Sequence, residues 1–225
     1  MKKFKANDNK NEEHEINYRQ FNKKLELLNQ ILSLISDINQ ASDEKEVKDC
    51  IPALLQYTGE YTDADRVYIF ELMSEKQDYY SNTFEWCREG IIPQIDNLIR
   101  ISADSMPVWH EKFLRGETII IHDLEKIRET MPLEYDILKV QDIHSLLVLP
   151  LFANTQLSGF IGLDNPELVN PGVSISLLSN AGGHLASTLN NLRMFRMLEE
   201  KQKTLESNLE ELQKEKHILE ALCVD

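Results

Sequence analysis

The chain has 225 residues, with 24 Lys and Arg against 38 Asp and Glu and a formal net charge of −14 at pH 7. At 42% hydrophobic and 28% charged, with only 8 glycines and 7 prolines, it fits neither a fibrous nor a wholly disordered class, and it can bury a core without disulfides or metals. The acidic field repels phosphate backbones and anionic lipid, which sets aside nucleic acid and membrane surfaces as partners.

The three cysteines, Cys50, Cys87 and Cys223, are far apart and lack the CxxC spacing of zinc or redox sites, so a reducing compartment is expected. The basic N-terminus (Lys2, Lys3, Lys5) leads into a polar stretch with no apolar signal-peptide core. No apolar run approaches the ~20 residues that span a bilayer. A cytoplasmic location is expected.

Residues 1–17 are polar and read as a disordered leader. Phe21, Leu25, Leu28, Leu32, Ile35 and Ile38 follow at spacings of three and four, which predicts an amphipathic helix. Ser42, with Asp43 and Glu44 behind it, predicts the cap of a second helix through Val47, Ile51, Leu54 and Leu55, with Pro52 a point where it kinks or starts later. Residues 66–72 are β-branched and aromatic and apolar on both faces, as in a central strand covered on two sides, and 78–86 supply its hairpin partner. Next come a short helix over 106–114, a strand over 117–121, a short helix over 133–140, and two strands, 145–152 and 157–163, joined by a turn. From Pro171 a helix runs onward, interrupted in composition only by Gly182 and Gly183. Its far half carries a heptad: Phe195, Gln202, Leu209, Lys216 and Cys223 in one column, Leu198, Leu205, Leu212 and Leu219 in the other. The leucine column, charged flanks and polar Gln202 and Lys216 predict a parallel two-stranded coiled coil.

Several stretches taken together resemble a known family. Residues 64–70 (ADRVYIF) look like the first strand, 84–91 (FEWCREGI) with 93–98 (PQIDNL) like the second strand and the loop after it, and 143–151 (IHSLLVLPL) with 159–165 (GFIGLDN) like the last hairpin of GAF sensory domains. The resemblance covers residues 25–195. It is to GAF domains found N-terminal to GGDEF, phosphodiesterase or histidine kinase output domains in bacterial signalling proteins. It implies an α+β fold: an antiparallel sheet of five to six strands, flanked by helices and followed by a long C-terminal coiled-coil helix. The boundaries it implies are a GAF domain over 18–195 and a signalling coiled coil over 196–225. Gly159 and Gly162, inside a strand, suit a sheet that backbone or ligand approaches closely.

Tyr68, Phe70, Trp86, Trp109 and Phe160 are candidates to line a pocket, since aromatic faces suit planar ligands. Ser145, Asp164 and Glu85 at strand ends are candidates to orient what binds there. Ordinary core packing and local backbone bonding are the competing roles. Leu198, Leu205, Leu209, Leu212 and Leu219 are the candidate dimerisation residues. The six histidines show no metal-binding spacing, and His122 and Asp123, adjacent on a strand, point to opposite faces. Cys87 is a conceivable chromophore attachment point, but the cysteine-histidine pair and acidic motif of light-sensing relatives are not matched. The signature of cyclic-nucleotide GAF domains is not matched either. No nucleophile-base pair, metal cluster or phosphate loop is visible, so no catalysis is expected. The expected role is a sensory module that binds an unidentified small molecule, with no cofactor assigned, and signals as a homodimer to an output domain beyond Asp225, where the sequence stops in mid-heptad. The alternative is a ligand-free dimerisation scaffold.

Overall fold

The computed structural model describes residues 2–74, 78–167 and 171–222. Helix α1 (Lys2–Gln40) leads into α2 (Glu44–Thr62), then strands β1 (Arg66–Ser74), β2 (Asp78–Cys87) and β3 (Ile101–Ser102). Helix α3 (Pro107–Leu114), strand β4 (Ile119–Ile121), helix α4 (Pro132–Lys139), strands β5 (Leu146–Ala153) and β6 (Gln156–Asp164) and the long α5 (Pro171–Leu222) complete the order. All six strands form one antiparallel sheet in the order β3-β2-β1-β6-β5-β4. Central strands β1 and β6 are therefore covered on both faces, which accounts for their two-sided apolar sequence.

One face carries α1, α2 and α5. Ile31, Ile35 and Ile38 of α1, Ile51, Leu54 and Leu55 of α2, and Leu178, Ala181 and Leu185 of α5 pack with Val67, Ile69, Leu147, Leu149, Ile161 and Leu163 of the sheet. The opposite face is roofed by α3 and α4. There Tyr68, Phe70, Tyr80, Trp109, Phe113, Leu138, Val148 and Phe160 form a second cluster, rich in aromatics. Alternation along each strand divides the two sets: on β1, Val67 and Ile69 face the helices, while Tyr68 and Phe70 face the roof.

Three details differ from expectation. Helix α1 reaches back to Lys2 through the stretch composition marks as a disordered leader; its lysines and glutamates are good helix formers, and Arg19 pairs with Glu15 at 2.7 Å one turn apart. The buried stripe of α1 is Leu27, Ile31, Ile35 and Ile38, whereas Phe21, Leu25 and Leu32 of the expected stripe are exposed. This helix thus has two apolar faces. The cap of α2 is Asp43, one residue later than Ser42: its carboxylate accepts from Lys45 N and Glu46 N at 2.8 and 2.9 Å, while Ser42 N and Oγ donate to Glu46. Pro52 sits inside α2 without ending it.

Helix α5 is unbroken through Gly182 and Gly183. A Cβ on Gly182 would stand 2.4 Å from Leu151 Cδ2, so the missing side chain is what lets α5 lie close on β5. Burial on α5 ends at Leu189, and from Met194 through Leu212 its apolar residues are exposed. At ~1.5 Å per residue its 52 residues extend roughly 80 Å, several turns past the sheet. No helix among the described residues is long and apolar enough to cross a membrane.

Candidate functional site

A cavity lies between the sheet and the α3–α4 roof. Its floor is Tyr68 and Phe70 of β1, Asn82 and Glu85 of β2, and Phe160 and Asp164 of β6; its roof includes Trp109 of α3 and Glu134, Ile137 and Leu138 of α4. About 40 Å³ is open to the centres of water molecules, room for two or three of them. The aromatic rings account for the narrowness: Phe70 and Phe160 stack at 4.6 Å between centroids, and Tyr68 and Trp109 meet this pair edge-on at 5.5 and 6.2 Å.

Six of the eight pocket candidates, Tyr68, Phe70, Glu85, Trp109, Phe160 and Asp164, line this cavity. Trp86 does not. A bulge in the β1–β2 ladder pairs Ile69 with Phe84 but Phe70 with Asn82, so Thr83 is extra, and the bulge inverts the alternation downstream. Tyr80 and Asn82 face the roof, whereas Phe84 and Trp86 turn to the helical core, and Glu85 turns inward. The Trp86 ring rests where a Cβ on Gly59 would be, 2.0 Å from its Cζ3. Ser145 shares the parity of Leu147, on the helical side, and its backbone N donates to Asn165 Oδ1 at 3.1 Å. Asn82, Glu85, Glu134, Gln141 and Asp164 are the amide and carboxylate residues of the lining; sequence reasoning named Glu85 and Asp164 and missed Asn82, Glu134 and Gln141. Nothing in the α4 sequence distinguishes Glu134 from the solvent-facing acids around it.

The polar groups fall into two sets. In the first, Tyr68 OH donates to Asp164 Oδ1 at 2.9 Å, and Arg66 Nε stands 3.0 Å from Asp164 Oδ2, an ion contact without hydrogen-bond alignment. Arg66 also donates to the carbonyls of Gln141 and Ile92 at 2.6 and 3.4 Å, so one guanidinium ties two loops to the sheet. Burial pushes the Asp164 carboxyl up to about 7, against the pull of Arg66. Gly162 makes the Tyr68–Asp164 contact possible: a Cβ there would stand 2.3 Å from the Tyr68 ring. The expected close approach at Gly159 is backbone, a Cβ falling 1.9 Å from Phe70 O.

In the second set, Glu85 Oε2 accepts from the backbone of Gln94 and Ile95 at 2.8 and 3.0 Å, and Asn82 Nδ2 donates to Glu85 Oε1 at 3.3 Å. Glu134 Oε1 accepts from Val108 N and Trp109 N at 2.8 and 3.3 Å, serving as a remote cap for α3, whose N-cap Met106 has no side-chain acceptor. Asn82 Oδ1, Trp109 Nε1 and Glu134 Oε2 are buried with no hydrogen-bond partner.

Other candidates are structural. Asp123 caps the turn over Leu124–Ile127 by accepting from Glu125 N at 3.1 Å. Among the described residues, no three His, Cys, Asp or Glu side chains gather to hold a metal. Burial, with Glu85 nearby, pushes the Cys87 thiol up to about 12, far from the thiolate state that thioether chemistry requires. Of the leucines expected to pair in a dimer, Leu198, Leu205, Leu209 and Leu212 are 56–68% exposed; Leu219 lies outside the residues whose side chains are described.

The family model for the GAF domain matches residues 46–175, from the first turn of α2 to the start of α5. The chain belongs to the GAF domain family. A relative is the methanogenesis regulatory histidine kinase FilI of Methanothrix harundinacea, 30% identical over an alignment of 146 residues that covers 62% of this chain and 16% of the kinase. The chain thus spans about one sixth of that relative. Solved structures share the GAF fold at low identity. The far-red absorbing dark state of JSC1_58120g3, with bound biliverdin, matches at a TM-score of 0.58 with 14% identity, over 73% of this chain and 99% of that one. The blue-light absorbing form of the Thermosynechococcus elongatus PixJ GAF domain matches at 0.54 with 18% identity (74% and 98%). The GAF domain of the Acinetobacter phosphoenolpyruvate-protein phosphotransferase matches at 0.56 with 14% identity (74% and 94%). Membership in the family and the kinase relative make this a sensory, regulatory module.

Proposed function

We propose that this GAF domain binds a small molecule between its sheet and the α3–α4 roof and relays occupancy through α5, paired with a second copy, to an output domain in the full-length protein. The observation that carries it is the set of buried, unpartnered polar atoms, Asn82 Oδ1, Trp109 Nε1 and Glu134 Oε2, in one cavity. Leaving a buried polar group unpaired costs roughly 1–3 kcal/mol, a cost that a ligand meeting it would remove.

The geometry offers a route to α5. Strand β1 presents Tyr68 and Phe70 to the cavity and Glu71 to the other face, where Glu71 accepts from Arg193 at 2.8 Å. Glu44 of α2 joins the same cluster, 3.6 Å from Arg193 and 3.1 Å from Arg196. This ionic clasp sits where α5 leaves the globular core. A shift of β1 on ligand binding would move Glu71 and bias the register of the Leu198–Leu212 seam, through differential affinity for two states of the dimer. The polar Gln202 in the seam eases such a shift. The domain itself performs no catalysis in this scheme.

The scaffold alternative has its own support, since aromatic rings leave only about 40 Å³ of water-centre space. A tetrapyrrole is far larger than this space, and Cys87 is not among the residues that line it. Native mass spectrometry of the protein as purified separates the possibilities. A dimer carrying removable mass supports sensing, a bare dimer favours the scaffold, and a monomer overturns the coiled-coil relay.

A further inference from the structure

We infer that the cavity takes a small organic cation, a protonated amine of few heavy atoms, held by Glu134 and Asn82 over an aromatic floor. This presupposes that the domain binds a small molecule as proposed above, and it adds the ligand's chemical class. Glu85, Glu134 and Asp164 line the space, and among the described residues no Lys, Arg or His lines it. Arg66, behind Asp164, is paired with that carboxylate. Glu85 is saturated by two backbone N–H groups and the Asn82 amide. That contact also fixes the Asn82 orientation, because an amide oxygen turned toward Glu85 would set acceptor against acceptor. What remains free is a carboxylate oxygen, Glu134 Oε2, and an amide oxygen, Asn82 Oδ1, both on residues at least 95% buried.

Two unpaired acceptors, one of them anionic, call for donors with positive charge. The α3 N-terminus offsets part of the Glu134 charge through Oε1 alone. Tyr68, Phe70, Trp109 and Phe160 supply quadrupoles that favour a cation over an anion. Trp109 Nε1, the free donor, selects within the class for an amine that also carries a hydroxyl or other acceptor. An anionic ligand would meet like charge in a buried space with nothing to neutralise it. The small open volume limits the ligand to few heavy atoms unless the roof lifts.

The test uses the two tryptophans as built-in probes, since Trp109 lies in the cavity and Trp86 on the opposite face. Protein labelled with ¹⁵N at its indoles is titrated with ethanolamine and methylammonium, with ethylene glycol and acetate as neutral and anionic controls. The expected result is a saturable shift of the Trp109 indole signal with the amines, a stationary Trp86 signal, and weaker or no response to the controls. Glu134→Gln keeps the oxygen that caps α3 and removes the charge. It is expected to weaken amine binding roughly 10- to 100-fold, the loss of one charge-assisted hydrogen bond. A Trp109 shift with acetate or ethylene glycol but not the amines overturns the cation assignment while leaving small-molecule binding intact. No shift with any of the four overturns the cation assignment and counts against binding altogether. Should Glu134→Gln fail to fold, the wild-type panel decides alone.

Discussion

Gly162→Ala tests how the cavity floor is built. In the native packing the added Cβ would stand 2.3, 2.5 and 2.6 Å from Tyr68 Cε2, Cζ and OH. Contacts of ordinary length require the ring to retreat by about 1 Å, which an interior this dense resists. Overpacking of this kind costs about 1–3 kcal/mol. The retreat also breaks the 2.9 Å bond from Tyr68 OH to Asp164, leaving a hydroxyl and a carboxylate oxygen buried and unpaired, for a further ~1–3 kcal/mol. The expected destabilisation is about 2–6 kcal/mol in urea unfolding followed by circular dichroism. Tyr68→Ala removes the ring that clashes, so Gly162→Ala added to it should cost almost nothing, giving a coupling of ~2 kcal/mol or more in a double-mutant cycle. Additive effects, or a loss under 1 kcal/mol for Gly162→Ala alone, would show that Tyr68 does not lie across Gly162.

Asp164 predicts a pH dependence. Its folded-state carboxyl, raised to about 7, holds a proton that the unfolded chain has released, so its contribution to stability is full below about pH 4 and lost as pH rises through 7; relative to wild type, Asp164→Asn should lack that decline, as melting curves across this range would register. Replacing Leu205 and Leu212 with lysine removes four side chains from a paired seam, roughly 6–12 kcal/mol of apolar burial per dimer; light scattering should read a monomer that keeps its fold, and an unchanged dimer would mean the copies meet elsewhere, such as the exposed Phe21–Leu25–Leu32 face of α1. Glu71→Gln loosens the clasp on Arg193, which is 41% exposed, so stability should fall by no more than ~1 kcal/mol; the response of an attached output activity to ligand should fall much further, and an undiminished response would exclude the clasp from the relay.

The fold was legible wherever a periodic pattern was long. The two-sided β1 and the last hairpin follow patterns that few structures satisfy, and α5 runs through Gly182 and Gly183 as the helix its sequence predicts. The cavity was legible in its aromatic floor, because residues 68, 70 and 160 follow simple strand alternation. Trp86 was misplaced by one bulge, since a single extra residue at Thr83 inverts the face of everything after it and leaves no mark in composition. The two-residue β3 is too short to carry a period. Glu134 escaped notice because its significance is tertiary: it caps a helix 26 residues away in sequence. The stripe on α1 was mixed because that helix has two apolar faces, and spacing alone cannot say which of them the sheet covers.

One spectrum can test the central claim, that occupancy of the cavity is felt on α5. Met106 lines the cavity, while Met194 and Met197 sit on the exposed length of α5, 49% and 55% accessible. Protein labelled with ¹³C at its methionine methyls reports both ends at once during titration with ethanolamine, or with whatever molecule native mass spectrometry finds bound. The account predicts that the Met106 signal and those of Met194 and Met197 move together, with the same midpoint. Saturation of Met106 while Met194 and Met197 stay fixed would contradict it, leaving a binding site with no line to the helix.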